Sequence, residues 1–199
     1  MSEDNKQTLL HSWHVQQGAN MAPFGGYDMP VWYSSAKNEH LAVLTQAGLF
    51  DTSHMATVLV QGPGARDLLQ RTFSRDLSAY LGKSQNPLYP GRMVYGVFLD
   101  PHGHVIDDAI ITQLEDELYM VVVNAGMGPT IGAHLKDYRT EGQTQIADLT
   151  DQVGKIDLQG PKAAVIMASL LRDPGIVFDR MPYFSSKGHI QAEKSDVFL

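Results

Sequence analysis

Three runs of residues, Met93 to Leu99, Val105 to Thr112 and Leu118 to Val123, follow one another with almost nothing between them, and this spacing constrains the fold more than any other feature. Each run is rich in Val, Ile, Tyr and Phe and is bounded by turn residues, the pattern of β-strands. The connections, D-P-H-G-H at 100–104 and L-E-D-E at 114–117, are of hairpin length, so the sheet they build is antiparallel.

A second constraint is internal repetition. Thr57-Val-Leu-Val-Gln-Gly-Pro-Gly-Ala-Arg-Asp-Leu-Leu and Lys155-Ile-Asp-Leu-Gln-Gly-Pro-Lys-Ala-Ala-Val-Ile-Met each read as a strand, then Q-G-P, then an apolar-periodic helix that begins just after the proline. The match holds in register over the whole unit, which implies two related subdomains, each opened by a strand that turns into a helix. Elsewhere the pattern predicts an opening helix carrying Leu9, Leu10 and Trp13 and ended by Gly18. An ordered connection over 21–35 follows, with a short strand at Val31 to Tyr33. A helix from Asn38 to Ala47 ends at Gly48, and another spans Thr130 to Tyr138. A strand is expected at His189 to Ala192, and Val197-Phe-Leu reads as the start of one more. The expected class is α+β.

Composition excludes several functions. The 199 residues are 43% hydrophobic, enough for one sizeable core or two small ones. A formal net charge of −7 leaves no basic stripe for nucleic acid. The absence of cysteine removes disulfides, thiolate zinc sites and cysteine nucleophiles, and is compatible with a reducing or an oxidising compartment. The first fourteen residues are polar and lack a signal peptide's apolar core, and the longest apolar runs fall well short of the roughly 20 residues that cross a bilayer. The expectation is a soluble cytoplasmic protein without membrane partners.

The chemistry-bearing residues are few. Asp107-Asp108 sits inside the apolar run V-I-D-D-A-I-I, where strand alternation sends one carboxylate to the packed face and the other to solvent or a cleft. Such a pair is either a set of satisfied structural carboxylates or an acid–base group. Asn124 ends the third strand with an amide that can read a heterocycle's donor and acceptor edge or cap a turn. His54, within G-L-F-D-T-S-H-M, reads on its own as a core histidine. His102, His104 and Asp108 share strand parity, so a bent hairpin could gather them around zinc or iron. Hairpin histidines are usually solvated, and no metal is expected.

Taken together, G-A-N-M-A-P-F-G-G-Y-D-M-P-V-W-Y-S-S (18–35), E-H-L-A-V-L-T-Q-A-G-L-F-D-T-S-H-M (39–55), G-H-V-I-D-D-A-I-I (103–111), V-V-V-N-A (121–125) and L-Q-G-P (158–161) resemble the glycine cleavage system T protein family, a group of folate-binding aminomethyltransferases. The resemblance runs from about Leu10 to Tyr183. It implies passage of an aminomethyl carbon from the lipoyl arm of the H protein to tetrahydrofolate, with release of ammonia. It assigns Asp107 as the catalytic carboxylate, and Met55, Tyr95, Val122 and Asn124 to the pterin pocket. It also implies a discontinuous first subdomain, 1–55 plus 146–199, with an inserted antiparallel-sheet subdomain at 56–145 and further C-terminal domains absent. Dimethylglycine and sarcosine oxidising enzymes, folate-dependent demethylases and folate-binding homologues of the iron-sulfur assembly type share much of the pattern, and the last two are the alternative functions. The chain departs from the family in having Gly103-His104 where two glycines are usual and a Gly-Pro stretch where Lys-Asp is common after Asn124-Ala125. The family's Gly-Tyr-Thr-Gly-Glu and Gly-Ala-Arg-Asp segments, whose Glu and Arg help hold folate, are not in this sequence.

Overall fold

The computed structural model describes residues 5–79, 86–179, 181–191 and 196–198. In chain order they form α1 (His11–Gln16), β1 (Asn20–Phe24), β2 (Tyr27–Trp32), α2 (Ala36–Thr45), β3 (Gly48–Asp51), β4 (Ala56–Gln61), α3 (Ala65–Thr72), β5 (Met93–Leu99), β6 (Val105–Glu115), β7 (Leu118–Val123), α4 (Gly128–Tyr138), β8 (Gln145–Asp148), a 3-10 turn (Thr150–Gln152), β9 (Ile156–Gln159), α5 (Ala163–Leu170), α6 (Pro174–Phe178), β10 (His189–Gln191) and β11 (Asp196–Phe198). Helices and antiparallel sheets mix as the α+β expectation requires.

The three expected strands are β5, β6 and β7, joined in a meander and extended by β4 and β8 in the order β5-β6-β7-β4-β8. One face of this sheet is the core. Ala56, Val58, Val60, Val94, Phe98, Ala109, Ile111, Val121 and Val123 alternate onto it and are buried against Leu68 and Leu69 of α3 and Ile131 and Leu135 of α4. The meander is tighter than its spacing suggests. β6 runs on to Glu115, leaving only Asp116 and Glu117 between strands, with a shift of register between Gln113 and Glu115.

Three local expectations are corrected. Residues 21–35 hold a full hairpin, β1 against β2, rather than a connection with one short strand. Gly48 does not cap α2; it opens β3, and α2 is held at its other end by Ser35, whose hydroxyl accepts from Asn38 N–H. The opening helix starts at His11, leaving Leu9 and Leu10 before it; Leu9 and Trp13 are 86% and 51% exposed, and the buried residue of α1 is His14.

The Q-G-P repeat is carried in detail. α3 and α5 match residue for residue on the repeat, and Gly62 and Gly160 both adopt positive φ, 117° and 113°. Beside each lies a preceding helix and strand in the same register: Gln61 pairs with Gln145, the first residue of β8, and Gln159 with Gly48, the first residue of β3. Gly64 N–H donates to Gln143 C=O at 3.1 Å, and Lys162 N–H to Gln46 C=O at 2.9 Å. Past each strand end the pattern continues. Asp148 Oδ1 accepts from Thr150 N–H, and Asp51 Oδ1 from Ser53 N–H, both at 2.9 Å. The Thr150 hydroxyl then accepts from Thr57 N–H at 3.1 Å, and the Ser53 hydroxyl from Lys155 N–H at 3.0 Å.

The two units differ in what surrounds them. β4 has β7 on its other side, whereas among the described residues β9 has only β3. Asp51 is fully enclosed, its Oδ2 accepting from Thr8 Oγ1 at 2.6 Å and held by His14 Nε2 at 3.0 Å, while His14 Nδ1 meets the Tyr33 hydroxyl at 2.7 Å. Burial pushes the Asp51 carboxyl pKa up, but hydrogen bonds from Ser53, Thr8 and His14 outweigh it and hold the value at about 2. A depressed carboxyl contributes stability that is complete above its unfolded pKa of about 3.9 and is lost as pH falls through the folded value. Asp51→Asn is therefore expected to cost about 2–3 kcal/mol at neutral pH and to flatten the decline in stability between roughly pH 4 and 2. Urea unfolding across that range checks it; an unchanged acid limb would contradict the assignment.

Candidate functional site

The face of the five-stranded sheet opposite the core carries the sequence-predicted residues. Register places Thr57, Val122, Ile110 and Tyr95 in one row across β4, β7, β6 and β5. Thr57 is buried, Ile110 and Val122 are half-buried, and Tyr95 is 52% exposed. Met55, one residue before β4, has the parity of Thr57 and is half-buried. This is a flat, largely apolar floor with an aromatic at one end.

The carboxylates stand at the strand end beside that floor. Asn124, just past β7, joins them: its side-chain amide donates to Asp107 Oδ1 and to Asp108 Oδ1, each at 2.7 Å, and its backbone N–H donates to Asp107 Oδ2 at 2.9 Å. The Tyr95 hydroxyl donates to Asp108 Oδ2 at 3.1 Å, and this hydrogen bond raises the tyrosine's pKa. Tyr95, Asp107 and Asn124 are thus brought into one connected group, with Val122 two residues away along β7.

The alternation that separates the two carboxylates puts Asp108, not Asp107, on the open face. Asp107 pairs with Phe98 and has the parity of the core residues Ala109 and Ile111, whereas Asp108 pairs with Val97 and shares the open face with Ile110 and Tyr95. Parity separates the two as expected, but Asp108 is the one on the side of the floor. Asp107 spends both oxygens on Asn124. The Asn124 amide has committed both N–H bonds and has no partner for its oxygen among the described residues, so it presents an acceptor, while Asp108 presents a carboxylate.

Two further ionisable groups lie by the start of β4. Lys155 reaches the open face, its Nζ donating to Thr57 Oγ1 at 3.0 Å, and burial lowers its pKa while the Asp51 charge opposes that shift. His54 packs between the rings of Phe24 and Tyr27, at centroid distances of 5.5 and 6.5 Å, and burial lowers its pKa as well. It is half-buried, and its Nδ1 is enclosed without a hydrogen-bond partner among the described residues, so it is not the satisfied core histidine that its surroundings in the sequence suggested. The Asp51–His14–Tyr33 cluster was not expected. Its signal lay in the D-x-Ser/Thr spacing at 51–53 and again at 148–150, which separates from ordinary turn usage only when both strand ends are known.

The proposed gathering of His102, His104 and Asp108 does not occur. Asp100 organises that hairpin instead, Oδ1 accepting from the N–H groups of His102 and His104 and Oδ2 meeting His104 Nδ1 at 3.1 Å. Among the described residues no three metal-binding side chains come together.

Comparison with known proteins agrees with this architecture. Residues 10–198 match the family model described as the GCVT N-terminal domain. An aminomethyltransferase of Symbiobacterium thermophilum is 37% identical over 188 residues, 93% of this chain and 48% of that protein, and one of Bacillus subtilis is 38% identical over 165 residues, 83% of this chain and 43% of that protein. The crystal structure of glycine cleavage system aminomethyltransferase T from Bartonella henselae superposes with a TM-score of 0.79 at 29% identity, covering 92% of this chain and 47% of that one. A heterotetrameric sarcosine oxidase from Corynebacterium sp. U-96 shares the fold, with a TM-score of 0.53 at 13% identity. The chain spans about half the length of the relatives it matches. With a family match over nearly all of its length and the same fold as a solved member, the chain belongs to the GCVT N-terminal domain family.

Proposed function

We propose that this chain provides the folate-binding N-terminal portion of an aminomethyltransferase, which passes an aminomethyl carbon from the lipoyl arm of the glycine cleavage H protein to tetrahydrofolate and releases ammonia. The observation that carries the reading is the Tyr95–Asp108–Asn124–Asp107 hydrogen-bonded chain standing at the edge of the Met55, Val122 and Ile110 floor. A planar heterocycle suits an apolar floor with a few convergent polar groups. Tetrahydrofolate would supply the nitrogen that takes up the carbon. Asn124's free oxygen would accept an N–H from it, Asp107 would hold Asn124 in place, and Asp108 would receive or stabilise the proton displaced as the bond forms. The family resemblance assigns the catalytic role to Asp107; the face on which Asp108 stands supports moving the direct contact to Asp108 and giving Asp107 the positioning role.

The same reading divides the chain into an inserted sheet unit and a surrounding unit formed by its two ends. The pairing of β8 with β4 supports drawing the end of the inserted unit at Asp148 instead of 145. A cytoplasmic location belongs to the proposal; among the described residues no helix is long and apolar enough to cross a membrane.

Asp108→Asn keeps size and one acceptor oxygen, enough for either Tyr95 or Asn124, but removes charge. Steady-state kinetics of the natural protein are expected to show turnover reduced about 100-fold or more with folate affinity changed much less, and a smaller loss for Asp107→Asn, which keeps an oxygen for Asn124 N–H. Near wild-type turnover in Asp108→Asn would remove its role, and greater damage in Asp107→Asn would restore the sequence assignment. Transfer is also expected to proceed without metal. Elemental analysis finding near one equivalent of zinc or iron, lost together with activity in His102→Ala, would overturn that expectation.

A further inference from the structure

The two repeat units use the same strand-end carboxylate in different ways. In one, Asp51 spends Oδ1 on Ser53 N–H and gives Oδ2 to His14 Nε2 and Thr8 Oγ1, so helix α1 and the residues before it fill the space in front of the acid. In the other, Asp148 spends Oδ1 on Thr150, and Oδ2 has no hydrogen-bond partner among the described residues. In front of Asp148 lies a cavity of about 870 Å³, bounded by Lys6, Gly25, Tyr27, Gly126, Gly128 and Asp148. What α1 does for Asp51 is done for Asp148 by nothing in the described chain.

The walls of this cavity are built for close approach. A Cβ at Gly128 would lie 2.5 Å from Asp148 Oδ2 and 3.1 Å from Ala56 Cβ, so a side chain there would crowd the carboxylate out of its place at the start of α4. The β1–β2 turn at Gly25 closes against Ala125, where a Cβ would come within 2.4 Å. Charge selects the ligand. Lys6 is paired with Asp151 at 3.3 Å and lies 5.9 Å from the Tyr27 ring centroid, so one cation and one anion at the rim offset each other and the Asp148 charge remains. A volume near 870 Å³ falls in the range of small-molecule sites, roughly 300–1,000 Å³.

We infer that the cavity beside Asp148 is a binding site for a small organic cation carrying N–H donors, an imidazolium, ammonium or amidinium group, which would occupy toward Asp148 Oδ2 the place that His14 and Thr8 occupy toward Asp51. The site is separate from the Tyr95–Asp108 group: it is lined by Ala56, which has core-face parity, and by the start of α4, on the side of the sheet away from the floor. Charge-assisted N–H donation to a carboxylate provides the affinity, and the Tyr27 ring adds an aromatic wall.

The test is an NMR titration of the ¹⁵N-labelled protein with guanidinium and imidazolium, and with urea as a neutral analogue of guanidinium, at concentrations far below those that unfold proteins. Saturable shifts at the Gly25, Gly26 and Gly126 amides are expected with both cations and not with urea. Asp148→Asn retains an oxygen for Thr150 but loses the charge, and should weaken binding about tenfold or more. Gly128→Ala, which crowds the Asp148 carboxylate out of its place, should weaken binding as well and serves as the second probe if Asp148→Asn fails to fold. Absence of saturable shifts at these glycines, equal response to urea, or unchanged affinity in the variants would overturn the inference.

Discussion

A strand that runs straight into a helix must reverse within a few residues, and in this chain each reversal turns on one glycine. At Gly62 and Gly160 the backbone lies at positive φ, and a Cβ would stand 2.5 Å from Gln143 C=O in the first case and 2.6 Å from Val43 C=O in the second. The turn is therefore pressed against the end of a neighbouring helix-to-strand connection, and Gly64 and Lys162 fasten the contact by hydrogen bonds to Gln143 and Gln46. Once these are in place, the registers of β8 on β4 and β3 on β9 follow, and with them the carboxylates at the strand ends.

Much of this was legible before any coordinates. The meander showed itself through β-branched runs separated by turn residues, and the repeat through Q-G-P followed by an apolar period. What escaped was long-range. The hairpin at 20–32 hides behind two prolines and two adjacent glycines, which read as a connection because the partner of each strand is not apparent from local composition. Gly48 looked like a helix stop, since a glycine at a helix end and one at a strand start carry the same local signal. The face on which Asp108 lies depends on which side of β6 the helices cover, a matter of packing that alternation alone leaves undecided. His14 was hidden because a buried histidine is defined by its partners, and Asp51 stands 37 residues away.

The two units show how one frame supports different environments. α3 presents Leu68 and Leu69 to the core and buries both almost completely, whereas the equivalent helix α5 leaves Val165 72% and Leu170 49% exposed. Leu49, Phe50 and Ile156 on β3 and β9 are exposed as well. The difference follows from the neighbouring strands: β4 is flanked on both sides, by β7 and β8, while β9 pairs with β3 alone among the described residues. The Tyr95, Asp107, Asp108 and Asn124 group of the proposed reaction site lies on the better-covered unit. Its acids are held by backbone and amide donors on strands that the core fixes from behind, which limits their freedom before any ligand arrives.

The pairing of β3 with β9 has a consequence for the order in which the chain becomes structured. The unit from Ala56 to Asp148 is contiguous in sequence: β5, β6 and β7 meet their partners across short turns, the local contacts that favour rapid folding, while β4 closes over longer spans, Gln61 onto Leu118 and Val58 onto Asp148. By contrast α2 and β3 leave the ribosome early, yet their strand partner Ile156–Gln159 is made only after the whole five-stranded sheet has been synthesised. The sheet between them then acts as a folded clasp: by bringing Met55 and the 149–152 turn to the same edge, through Leu149 N–H to Thr57 C=O and Thr57 N–H to Thr150 Oγ1, it shortens the effective loop between β3 and β9 from about a hundred disordered residues to a few at either end. Synthesis order and architecture thus make the first unit the template on which the second closes.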